Sequence, residues 1–174
     1  MLNTQIKNIL SFICLLLVQV MMLDNICLGS YVHPVIYIIF IMQRPFKTQR
    51  IQLLLEGFAM GIAIDIFNGT PGLNAAATVL VAYLRPYVID MMTRKSELDE
   101  KQEPTVEKKG AAWFFVYSLI ILIIHNFTFF LLEAFTFKLL GVILLEMLAS
   151  VPVSALLILL ISYLFKPIKK KKFV

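Results

Sequence analysis

Residues 53–86 read LLLEGFAMGIAIDIFNGTPGLNAAATVLVAYLRP, and the fold follows from how this stretch is read. Two apolar runs are joined by Asn68-Gly69-Thr70-Pro71-Gly72, a cluster of the residue types that end helices and form turns. Gly57, Gly61 and Asp65 recur every four residues, so one helix face carries two positions without a side chain and then a carboxylate. A face of small residues lets a second helix pack closely. A carboxylate on that face cannot be left against lipid. The spacing therefore predicts a hairpin of two membrane helices, approaching closely at the end where Asn74-Ala75-Ala76-Ala77-Thr78 opens the second one.

The rest of the chain extends this reading. Its 174 residues are 60% hydrophobic and 16% charged, with a mean hydropathy of +0.86. A soluble domain is about 45–50% apolar and about a quarter charged. The composition is that of an integral membrane protein, and the length allows a single membrane domain over residues 1–174. A net charge of +5 would suggest nucleic acid in a soluble protein. Here the basic residues flank apolar runs, so membrane topology accounts for them and no nucleic-acid partner is expected. Cys14 and Cys27 lie in or beside the first apolar run without metal-ligand spacing, and are expected to be small buried hydrophobes.

Six spans are predicted, at about residues 6–28, 31–43, 51–67, 73–90, 111–132 and 139–165. The first is too long, and lacks the cleavage site, for a signal peptide. Gln19 within it is expected to face other helices. The second is the awkward one. Tyr31 to Met42 makes about 18 Å of helix, against a hydrocarbon core of about 30 Å. Pro34 at its start suits a first helical turn, and a crossing is expected. Pro152, between Ser150 and Ser154, is expected to kink the last span.

All Lys and Arg residues except Arg85 and Lys138 fall at the N-terminus (Lys7), in the 43–50 loop, in the 91–110 loop or in the basic tail 166–174. The positive-inside rule makes those four segments cytoplasmic, with both termini inside. The 91–110 loop mixes charges around Pro104 and reads as a solvated, partly disordered connector.

Ionisable residues inside or at the edge of the spans are Glu56, Asp65, Arg85, Asp90, His125, Glu133, Lys138 and Glu146. Such groups are costly at depth. Asp90, Glu133 and Lys138 sit at span ends, where an interfacial position suffices. Arg85 precedes Pro86 at the depth of Glu56 on the antiparallel neighbour; it is expected either to snorkel inward or to meet Glu56, and the pair is the expectation put to the test. Asp65, against the turn, is expected to accept hydrogen bonds that close the hairpin or to present its charge to a partner. No phosphate-binding loop, zinc-protease motif or nucleophile elbow occurs. An enzyme is not expected, nor a catalytic residue, metal or cofactor site.

The run Glu56-Gly57-x-x-x-Gly61-x-x-x-Asp65, then Asn68-Gly69-Thr70-Pro71-Gly72-Leu73-Asn74-Ala75-Ala76-Ala77-Thr78, then Tyr83-Leu84-Arg85-Pro86, resembles the bacterial rod-shape-determining protein MreD family. The likeness extends to length, six spans, Pro34 and the lysine-rich tail. It implies a multi-pass, non-enzymatic scaffold of the cell-elongation machinery in the bacterial inner membrane, supporting cell shape and peptidoglycan synthesis. The partners it implies are an MreC-like membrane protein, RodA and a class B penicillin-binding protein, with actin-like MreB indirectly and a homodimer left open. It further implies an all-α, six-helix bundle similar to the substrate-binding component of energy-coupling-factor transporters. Glu56, Gly57, Gly61, Asp65, Pro71, Gly72, Arg85 and Pro86 are then the helix-packing or partner-contact candidates. Two alternatives stand beside this reading. One is a small-solute (vitamin) uptake component, against which the outer loops lack pocket-forming polar residues. The other is a channel or proton-coupled transporter resting on Glu56, His125 and Glu146.

Overall fold

The computed structural model describes residues 2–23, 32–93, 102–135, 138 and 140–164. Among these the chain is all-helical, with no strand. Helix α1 (Leu2–Val18) runs on into a π-helical turn, Gln19–Leu23. A single turn, α2 (Ile39–Met42), precedes α3 (Arg50–Asn68) and α4 (Leu73–Met92). Short α5 (Val106–Lys109) leads into α6 (Ala111–Ala134), and α7 (Leu140–Leu164) follows.

Four helices, α3, α4, α6 and α7, are long and apolar enough to cross a membrane. Helix α1 is apolar over Gln5–Met21 but shorter. Six helical spans were expected, and the discrepancy centres on residues 31–43. That segment is not a spanning helix. Residues 32–36 have no regular secondary structure, and only Ile39–Met42 is helical. The expected helical crossing over residues 31–43 is therefore not found. Every residue from Pro34 to Met42 is buried.

Two other expectations change. Cys14 is exposed on α1 rather than buried; Cys27 lies outside the described residues. The 91–110 loop is not uniformly solvated. Residues 94–101 lie outside the described residues, but Pro104 and Val106 are buried, and the Phe46 amide donates to the Gln102 carbonyl at 3.1 Å. The 43–50 and 91–110 loops thus meet. A groove of about 730 Å³ beside them is lined by Lys7, Cys14, Gln43, Gln102, Lys108 and Ser162. Three of the four basic segments therefore share one end of the bundle, as positive-inside counting requires; the tail 166–174 lies outside the described residues.

Helix α7 stays continuous through Pro152. Large apolar side chains point outward along α1 (Ile6, Ile9, Leu10, Ile13, Leu17) and α7 (Leu144, Leu145, Leu148, Leu156, Leu160). In a bilayer that costs nothing, because lipid tails are as apolar as leucine.

Candidate functional site

Helices α3 and α4 approach each other at residues with no side chain. A Cβ built on Gly61 would lie 2.4 Å from the Ala75 Cα and 2.7 Å from the Asn74 carbonyl oxygen. One turn earlier, a Cβ on Gly57 would meet the Ala82 Cβ at 3.1 Å and the Thr78 carbonyl oxygen at 3.2 Å. This approach lets the short side chain of Asp65, one turn later, reach the start of α4.

Asp65 is buried and accepts four hydrogen bonds. Its Oδ1 takes the Thr70 hydroxyl at 2.6 Å and the Asn74 amide and side-chain Nδ2, both at 3.0 Å. Its Oδ2 takes the Ala75 amide at 2.9 Å. Asn74 and Ala75 are the second and third residues of α4, whose amides an N-cap side chain ordinarily satisfies. The residue at the cap is Gly72, which has no side chain and sits at φ +81°. Asp65 therefore caps α4 from the neighbouring helix, and its charge faces the positive end of the α4 dipole. Gly69 ends α3 at φ +67°, its amide on the Asp65 carbonyl. Space around Gly69 and Gly72 is open, so these two glycines serve the left-handed backbone, unlike Gly61. Pro71 is exposed in the turn.

Side chains from four elements, the π turn, α4, α6 and α7, satisfy the buried irregular segment, as a buried backbone requires. Gln19, on the π turn after α1, donates to the Pro34 carbonyl at 3.0 Å and accepts the Ile36 amide at 2.9 Å. The α7 hydroxyls of Ser150 and Ser154 accept the His33 and Val35 amides at 3.0 and 2.9 Å. Gln43 reaches the Ser162 hydroxyl at 3.3 Å.

Arg85, on α4, closes the far end. It is almost wholly buried, and its guanidinium donates to the Met42 and Arg44 carbonyls and to the Tyr117 hydroxyl. Tyr117 itself donates to the Met42 carbonyl at 3.2 Å. The expected Glu56–Arg85 pair does not form. Glu56 instead takes Arg44 in a two-pronged ion pair, 2.6 Å on each prong, and Gln52 at 2.9 Å. Arg44 lies between the two, its side chain on Glu56 and its carbonyl on Arg85. Arg85 is turned inward, where unpaired carbonyls at the end of α2 offer the partial negative charge that a cation needs. Pro86 is half-buried in an unbroken α4.

A second polar cluster sits beyond the Asp65 end. The Tyr37 hydroxyl lies 2.7 Å from His125 Nε2, 3.1 Å from Asn74 Oδ1 and 3.3 Å from the Thr78 hydroxyl. Beside it is a cavity of about 420 Å³, lined among others by Gln19, Tyr37, Asn74, His125, Asn126 and Phe129. His125 and Asn126 are themselves buried.

The candidates from sequence thus divide. Gly57, Gly61, Asp65 and Gly72 form one unit, while Glu56 and Arg85 serve separate partners. Sequence reading missed Tyr37, Asn74, Asn126, Tyr117 and the backbone-binding role of Ser150 and Ser154. The four-residue spacing of the two serines was the visible signal; nothing marked the tyrosines. Compared with protein-family models, with curated proteins and with solved structures, the chain finds no match.

Proposed function

We propose that the chain is a non-enzymatic membrane scaffold of the bacterial cell-elongation complex, similar to MreD, in the cytoplasmic membrane. The observation that carries this reading is the rigid α3–α4 hairpin and what it leaves free. Gly57, Gly61 and Asp65 lock one face of α3 to α4, and this is the most extensive helix pairing in the bundle. On other faces of α3, Ile51, Leu55, Phe58 and Ile66 are exposed in an apolar stripe along its length. A rigid pair of helices with a free apolar stripe is suited to receive a single transmembrane helix of a partner, since packing in lipid depends on shape rather than on water exclusion. On this reading the partner is an MreC-like protein, with RodA and a class B penicillin-binding protein beyond it and MreB reached indirectly. The chain would cross six times, with the segment at residues 32–44 as an irregular second crossing and a fold similar to that of energy-coupling-factor substrate-binding components.

Irregular backbone at such depth is tolerated where protein encloses it. Here the buried polar side chains of Gln19, Ser150, Ser154 and Arg85 are committed to that task. The test is a mild-detergent pull-down of the tagged chain from its own cells with mass spectrometry. Wall-synthesis partners are expected. Recovery of an ATPase module with a second membrane subunit would overturn the scaffold in favour of solute uptake.

A further inference from the structure

We propose that the groove between α1, α2 and α7, at the basic end of the bundle, holds one membrane phospholipid with a phosphoethanolamine headgroup. Its acyl chain lies along α1 and its head at the rim. The proposal rests on the long apolar helices lying in a bilayer, and not on the scaffold reading. The α1 side of the groove is Lys7, Leu10, Ser11, Cys14, Leu15 and Val18. These recur at intervals of three and four, so they form one continuous helix face. From Lys7 to Val18 the helix rises about 16 Å, roughly half of a hydrocarbon core of about 30 Å. The groove is therefore about as deep as one leaflet.

Its polarity changes along the same direction. Val18 marks the deep end together with Ile36, whose amide is held by Gln19. Leu15, Ile39 and Ile161 continue an apolar floor, where Gln43 and Ser162 satisfy each other at 3.3 Å. At the rim, Lys7 shares the lining with Glu103 and Lys108 of the 91–110 loop. An amphiphile with one charged end and one long apolar end matches this gradient. A partner's helix does not fit: spread over about 16 Å, a volume of about 730 Å³ leaves a mean width of about 7–8 Å, whereas a helix with its side chains is about 10–12 Å across.

The rim selects the headgroup. The side chains of Lys7, Lys108 and Glu103 are exposed and enter no ion pair or hydrogen bond among the described residues. Two ammonium groups at the mouth of a lipid groove attract a phosphate. Glu103 and Glu107 bring carboxylates to the same rim, so its four formal charges cancel. That balance disfavours a headgroup that is only negative. Phosphoethanolamine carries both signs, a phosphate for the lysines and a primary ammonium whose N–H groups a carboxylate accepts. A trimethylated choline head has the charge but no N–H to donate.

The test is native mass spectrometry of the full chain, delipidated in mild detergent. It is offered equal amounts of phosphatidylethanolamine, phosphatidylglycerol and phosphatidylcholine with the same acyl chains. One ethanolamine lipid should be retained about threefold or more over each of the others. Glu103→Gln should bring its ratio to phosphatidylglycerol down to about one or below. Lys7→Ala combined with Lys108→Ala should lower retention of all three lipids about threefold or more. Cys14→Trp fills the groove from an exposed position on α1 and should abolish the adduct whatever its headgroup. These side chains are all exposed, so the fold should persist, with melting temperature as the check. Equal retention of the three lipids by the parent chain, or retention of none, would overturn the site. So would an adduct unchanged in folded Cys14→Trp, which puts the lipid elsewhere on the bundle. A second copy of the chain, bound by the parent and lost in that variant, would give the groove to a protein helix and overturn it equally.

Discussion

Gly61 stands so close to Ala75 that a methyl group on it would lie 2.4 Å from the Ala75 Cα, inside any tolerable contact. Backbone, not a flexible side chain, occupies that space, so the helices must separate to admit it. Gly61→Ala is expected to be the most damaging of the helix-packing glycine substitutions among the described residues, at about 1–3 kcal/mol or more. Gly57→Ala, with contacts at 3.1 and 3.2 Å, should cost less. Gly141→Ala has open space on α7 and should be neutral or slightly stabilising. Melting temperatures in one detergent give the order directly; Gly61→Ala and Gly141→Ala melting alike would contradict the close approach.

Asp65 spends both carboxylate oxygens on α4 and the turn. Asparagine keeps one oxygen for the Oδ1 cluster but turns an NH₂ group toward the Ala75 amide, placing donor against donor. Asp65→Asn is therefore expected to destabilise by about 1–3 kcal/mol, and Asp65→Ala by more. A charge needed only for an external partner would leave both variants as stable as the parent in thermal melts, with partner retention alone lost.

Two double-mutant cycles separate the ion pair from the buried arginine. Glu56 and Arg44 should couple by about 1 kcal/mol, the scale for residues in direct contact at a partly exposed position. Glu56 and Arg85 should be additive within roughly 0.5 kcal/mol. Coupling between Glu56 and Arg85 larger than that of Glu56 with Arg44 would restore the pairing that sequence depth suggested.

Arg85 itself should resist conservative replacement. A lysine offers one point of charge where the fork reaches the Met42 and Arg44 carbonyls and Tyr117 together. Arg85→Lys is expected to lose about 1.5–3 kcal/mol, and Arg85→Met more. If Met melts no lower than Lys, the carbonyl cluster has no need of a cation.

The backbone-binding side chains can be ranked by what each leaves behind. Ser154→Ala strands the buried Val35 amide, about 1–3 kcal/mol, while Ser150→Ala frees the amide of the exposed His33 and should cost less. Gln19→Leu strands a carbonyl and an amide at once and should cost the most of the three. Amide hydrogen exchange at residues 33–36, measured by mass spectrometry, should quicken in each variant. Unchanged exchange in Gln19→Leu would show that another group holds the segment.

Some of this was legible in the amino-acid sequence alone. Apolar run length, helix-breaking residues and the distribution of Lys and Arg are local properties, and they foretold the long apolar helices, the α3–α4 hairpin, its turn and the shared end of the three described basic segments. The four-residue spacing of Gly57, Gly61 and Asp65 is also local, because a helix turns that spacing into a face. What residues 32–44 do was decided only by tertiary structure. Their short apolar run is equally compatible with a helix and with extended chain, and the choice rests on side chains far away in sequence, Gln19, Arg85, Ser150 and Ser154, that satisfy its amides and carbonyls. The partner of Glu56 was decided in the same way. Arg44 and Arg85 lie close together, and only the folded backbone directs Arg44 to the carboxylate and Arg85 to the carbonyls. The groove beside α1 belongs to this second class, because its charged rim and apolar floor come from segments far apart in the sequence and exist only once those segments are packed together.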